Sequence, residues 1–117
     1  MLDVTIYHNP GCGTCRETLS ILREKGVEPR IVEYMTEPLS RATLETLIDA
    51  MDMRPRELLR EKDPQYQALD LANPKWSDSE LVGFMVESPS LINRPIVATP
   101  TATRLCRPPI TVLELLA

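Results

Sequence analysis

Residues 2–35, LDVTIYHNPGCGTCRETLSILREKGVEPRIVEYM, decide the fold. LDVTIY (2–7) alternates loosely and is rich in β-branched side chains, and Asn9-Pro10-Gly11 then breaks the strand. From Cys12 to Lys25, Leu19, Leu22 and the neighbouring Ile21 fit one helical face, with Gly26 where a helix C-cap belongs. PRIVEYM (29–35) reads as a second strand. Strand, helix and strand in so short a span make a βαβ unit, with parallel strands and a right-handed crossover.

The middle third is helical. Leu44, Leu47, Ile48 and Met51 follow the i, i+3, i+4, i+7 rule behind Ser40 as N-cap, predicting an amphipathic helix over 41–52. A short helix is expected over 55–61. Asp63-Pro64 reads as N-cap and first residue of another, and Ser77 with Glu80 makes a capping box ahead of Leu81, Phe84 and Met85. After Pro89 the β pattern returns. PIVAT (95–99) and ATRLC (102–106) flank the turn Pro100-Thr101 as a hairpin, and Pro108-Pro109 starts a last helix. The order βαβ, helices, ββα is an α/β, thioredoxin-like plan with a mixed sheet. It carries a helical insertion over about 40–89, within a single domain spanning 1–117.

Composition narrows the function. At 117 residues, 43% apolar and 26% charged, the chain suffices for one core. It has no apolar run of membrane-spanning length. MLDVTIYHN lacks the basic and apolar regions of a signal peptide, so the cytoplasm is expected. A net charge of −4 argues against non-specific binding to nucleic acid or membranes, both of which need a basic surface. Ten of the thirteen basic residues are arginine, the side chain suited to bidentate oxyanion recognition.

Three cysteines do not make a disulfide framework, and in a reducing compartment a C-x-x-C pair points to catalysis, redox chemistry or metal binding. Cys12 and Cys15 share a face at the start of a helix, where unpaired amides and the helix dipole favour both a thiolate and a bound anion. Gly11 and Gly13 let the backbone amides converge on a ligand, and His8 and Arg16 add polar or positive character that lowers a thiol pKa. A zinc site would draw on Cys12, Cys15, Cys106 and His8, but there is no second close-spaced pair. Buried inert cysteines are common too, although a Pro-Gly-Cys-Gly turn is an odd place for core. A lone His8 is more often a strand-end residue held by a backbone hydrogen bond than a catalytic acid or base. Arg94, directly before Pro95, and Arg107, directly before Pro108, stand at strand ends around the thiol. An arginine chosen at random would be a surface residue.

HNPGCGTCR (8–16), LLREKDPQY (58–66), FMVESPSLINRPIV (84–97) and TRLCRPP (103–109) occur in an order that resembles the glutaredoxin-coupled arsenate reductases, over nearly the whole chain. The resemblance implies reduction of arsenate to arsenite, with Cys12 as nucleophile, His8 assisting its thiolate, and Arg60, Arg94, Arg107 and Gly13 holding the oxyanion. It also implies glutathione as co-substrate, glutaredoxin as protein partner, and no bound cofactor or metal. Two departures stand out. Position 15 is serine in that family's pattern and Cys15 here, a candidate resolving thiol, and family members usually run on past the point where this chain ends at Ala117. The alternatives are a redox-sensing regulator of the same superfamily that binds RNA polymerase, and a general C-x-x-C thiol oxidoreductase. The regulators lack the full arginine set, and an oxidoreductase of the glutaredoxin kind has no need of Arg60 or Arg107.

Overall fold

The computed structural model describes residues 3–116. The chain forms two compact units, one built from Met1–Glu37 together with Arg94–Ala117, the other from Pro38–Asn93.

In the first unit, strands β1 (Thr5–Tyr7), β2 (Arg30–Val32), β3 (Ile96–Ala98) and β4 (Thr103–Leu105) form one sheet in the order β2-β1-β3-β4. β1 runs parallel to β2, with Ile6 opposite Ile31, and antiparallel to β3, with Ile6 opposite Val97. The parallel pair is joined by helix α1 (Gly13–Glu24). Val4, Ile6 and Val97 pack with Leu22 of α1, Cys106, Val112 and Leu115 into the core of this unit. At its C-terminus α1 closes with Gly26 at φ 77°, a conformation strained for other L-residues, and Val27 N–H returns to the Leu22 carbonyl at 2.9 Å.

Three local expectations are corrected here. The first strand begins at Thr5, not residue 2, and Leu2 lies outside the described residues. β2 ends at Val32, because Glu33 starts a turn whose carbonyl accepts from Thr36 N–H and Glu37 N–H. The terminal helix is a 3₁₀ helix, Pro109–Leu115, whose bonds run i to i+3, as from Thr111 N–H to the Pro108 carbonyl. The hairpin forms as expected, with Val97 opposite Arg104 and the turn held by Thr99 Oγ1, which accepts from Ala102 N–H at 3.1 Å.

The second unit contains α2 (Arg41–Ala50), α3 (Pro55–Leu58), α4 (Pro64–Ala68) and α5 (Asp78–Glu87). Ser40, Asp63 and Ser77 cap α2, α4 and α5, the last through a full capping box with Glu80. Leu44, Leu47 and Ile48 of α2 and Leu81, Val82 and Met85 of α5 are buried. The segment is not wholly helical. α3 stops at Leu58 where Leu59 turns extended, and Leu59 pairs with Ile92 in an isolated antiparallel bridge. Arg60 N–H donates to the Leu91 carbonyl and Asn93 N–H to the Leu58 carbonyl across that bridge.

Candidate active site

Cys12 is the N-cap of α1, with extended backbone at φ −100° and ψ 123°. The turn before it is fixed twice: Cys12 N–H donates to the Asn9 carbonyl at 2.9 Å, and Asn9 Oδ1 accepts from Gly11 N–H at 2.9 Å. Neither Gly11 nor Gly13 adopts a positive φ, so the loop does not need them for left-handed backbone. A Cβ on Gly11 would press to 3.3 Å on Asn9 Oδ1, whereas one on Gly13 would meet nothing closer than Arg16 Nη2 at 3.8 Å. Gly11 thus protects the turn, while at Gly13 a side chain would cost little inside the fold.

The Cys12 sulfur is half-buried, and burial alone would push its pKa up. The Cys15 backbone N–H, the Arg94 guanidinium and the Cys15 thiol all hydrogen-bond to it and outweigh burial, bringing the pKa down from 9.0 to about 6. Cys12 is therefore a thiolate at neutral pH. Cys15 is completely buried, and burial together with the neighbouring Cys12 charge pushes it up to about 12, against the Asn9 backbone amide that donates to its sulfur.

Arg94 sits half-buried at the start of β3, hydrogen-bonded to Cys12 and to the Tyr34 hydroxyl. Its carbonyl accepts from Arg107 Nη1 at 2.9 Å. Both arginines precede cis prolines, Pro95 and Pro108. Arg94 is thus the thiolate's direct cationic partner, while the exposed Arg107 braces the Arg94 backbone with one arm of its fork. Arg60 belongs to the second unit, where its Nη1 lies 3.8 Å from the buried Asp63 carboxylate.

His8 is 5% exposed, and its N–H donates to the Val32 carbonyl at 2.8 Å, extending the β1–β2 ladder. Its Nδ1 has no hydrogen-bond partner among the described residues. Burial lowers its pKa, Arg16 and Arg23 add to that, and Glu33 opposes it, so the imidazole is neutral at pH 7. The strand-end reading accounts for the backbone of His8, while the ring is left with an unused nitrogen. Arg16, expected to strengthen the thiolate, instead ties the loop by donating to the Pro10 carbonyl at 2.8 Å.

Tyr34 was not visible as a site residue in the sequence. It is 1% exposed, burial pushes its hydroxyl up to about 12, and it holds the Arg94 guanidinium. In the sequence it falls inside the expected strand 29–35, which gives no cue to a site. Cys106 lies in the core of the first unit, its Sγ donating to the Arg104 carbonyl at 3.8 Å, with burial pushing it up to about 12. Among the described residues no group of three His, Cys, Asp or Glu is placed to hold a metal ion, and no helix is long and apolar enough to cross a membrane.

Residues 7–115 match the model of the ArsC family. The chain belongs to the ArsC family. An arsenate reductase of Rhizobium meliloti is 50% identical over 115 residues, covering 98% of this chain and 82% of the relative. An arsenate reductase of Escherichia coli is 50% identical over 116 residues, 99% of this chain and 82% of its own length. The solved structure of an arsenate reductase from Vibrio cholerae superposes with a TM-score of 0.93 at 38% identity, covering 97% of both chains. The ArsC match extends from β1 through the hairpin, so it includes Cys12, Cys15, Arg60, Arg94 and Arg107.

Proposed function

We propose that this ArsC-family chain reduces arsenate to arsenite through a covalent adduct on Cys12. The observation that carries the reading is the thiolate itself: a half-buried Cys12 sulfur at the head of α1, held near pKa 6 by the Cys15 amide and Arg94. The names of relatives half identical over nearly the whole chain support the substrate. Arsenate meets the first-turn amides at Gly13 and the guanidinium of Arg94, with Arg107, anchored on the Arg94 carbonyl, completing the oxyanion set of this unit. The Cys12 sulfur attacks arsenic, an S–As bond forms, and one arsenic–oxygen bond breaks with its oxygen leaving as water after protonation.

Two thiol equivalents then convert As(V) to As(III). Glutathione supplies the first and glutaredoxin the second, leaving a disulfide as the oxidised product, in the cytoplasm where such thiols are kept reduced. No bound cofactor is required. The test is arsenate-dependent NADPH oxidation in the presence of glutathione, glutaredoxin and glutathione reductase. Turnover by the wild type and its loss in Cys12→Ser is the expected result. Absence of arsenate-dependent oxidation, or unchanged turnover in Cys12→Ser, overturns the reading.

A further inference from the structure

Cys15 is left without a task by a mechanism that uses only Cys12 and external thiols. Its surroundings are specific. It stands one turn into α1 from Cys12, its thiol hydrogen-bonds to the Cys12 sulfur, and it is completely buried, so Cys12 is the sulfur it can reach. The Asn9 N–H points at the Cys15 sulfur and stabilises negative charge on it. Cys106, the other buried thiol, is held instead by the Arg104 carbonyl in the core.

We propose that Cys15 is a catalytic residue that resolves the arsenic adduct within the chain, its sulfur attacking the Cys12 sulfur to leave a Cys12–Cys15 disulfide and arsenite. This rests on Cys12 being the arsenate nucleophile. The step balances: an S–S bond forms, the S–As bond breaks, and its electron pair stays on arsenic, which passes from As(V) to As(III). The two sulfurs are oxidised by the same two electrons. The Cys15 proton ends on an oxygen of the departing arsenous acid. The electrostatics change in the needed direction when the adduct forms. In the free protein the charge and hydrogen bond of Cys12 both hold the Cys15 proton in place. Once arsenic caps the Cys12 sulfur those two influences cease, while the Asn9 amide and the Arg94 charge remain to draw the proton off. The resulting disulfide presents the half-exposed Cys12 sulfur outward, so an incoming dithiol protein or glutathione attacks there and restores Cys15 as leaving thiolate.

The test is a single turnover without any free thiol. Fully reduced, desalted protein is mixed with excess arsenate, released arsenite is counted, and the protein is cleaved after Arg16, which leaves both cysteines in one fragment of residues 1–16. The expected result is close to one arsenite per chain and a fragment lighter by two hydrogens, with the burst reduced at least tenfold in both Cys15→Ser and Cys15→Ala and retained in Cys106→Ala. Far-UV circular dichroism confirms that the variants are folded. A burst of wild-type size in the folded Cys15 variants, no burst from the wild type, or loss of the burst in Cys106→Ala alone overturns the proposal. Steady-state turnover of Cys12→Ser with glutathione and glutaredoxin separates the two readings. Activity there overturns the nucleophile assignment itself, whereas an inactive Cys12→Ser beside a wild type that turns over without a burst overturns only the role of Cys15.

Discussion

The Cys12 charge depends on three donors, and Arg94 is the one that can be removed without touching the helix. Alkylation of Cys12 by iodoacetamide should rise with pH to a plateau with its midpoint near 6, because only the thiolate reacts. Arg94→Ala should move that midpoint upward toward the ordinary 9.0, and arsenate use at pH 7 should fall with it. A midpoint unchanged by Arg94→Ala would remove Arg94 from the thiolate's partners. His8 titrates with a consequence for stability of the same sign. Its folded pKa is lowered, so its neutral form is favoured in the fold, and that stability is full above 6.5 and is lost as pH falls below it. His8→Gln should therefore flatten the drop in urea midpoint between pH 7 and pH 5. Cys12 and Arg94 were legible in the sequence because Gly, Pro and strand ends fix where they sit. Tyr34 was not, since its importance comes from burial and from a contact with a residue sixty positions away. Arg16, whose charge the sequence set near the thiol, is bonded to the Pro10 carbonyl, a backbone partner that no side-chain pattern announces.

Elements were legible where a local chemical signal ends them. Ser40, Asp63 and Ser77 each cap the helix that the sequence assigned to them, and Gly26 takes the left-handed conformation expected of a C-cap. Gly26→Ala should cost about 1 kcal/mol through its φ of 77°, measured as a lower urea midpoint with unchanged slope. A Cβ there meets nothing within 4 Å, so backbone strain is the whole of the effect. Strand lengths were less legible. IVEY continues as a β-branched and aromatic run, yet the Glu33 carbonyl collects two turn amides and the ladder ends at Val32. The last helix was over-read for a similar reason, since Leu and Val content says nothing about whether hydrogen bonds run to i+3 or i+4.

At the scale of the whole molecule, the order of elements carried the α/β, thioredoxin-like architecture, because β1, α1 and β2 are local and the β3–β4 hairpin is bounded by prolines. The Leu59–Ile92 bridge was invisible, as one pair of residues separated by a run of helices leaves no periodicity to read. The two units also separate stability from chemistry. Leu81→Ala, at a fully buried position of α5, should cost about 2–5 kcal/mol on unfolding. The groups that set the Cys12 charge all lie in the other unit, so the alkylation midpoint of that variant should stay near 6 while its melting temperature falls.

The first unit is discontinuous in the chain: β1 pairs with β2 soon after it and with β3 only after the whole segment Pro38–Asn93 has intervened. On a ribosome, synthesis proceeds from the N-terminus, so Cys12 emerges long before the arginine that ionises it. During that interval the nascent thiol lacks the Arg94 guanidinium and keeps more of the modest reactivity of an ordinary cysteine. The full nucleophile appears only once Arg94 and β3 have emerged and docked beside β1. Placing the activating cation far downstream of its thiol makes chemical competence a product of completed folding and shields the unfinished chain from adventitious oxidants.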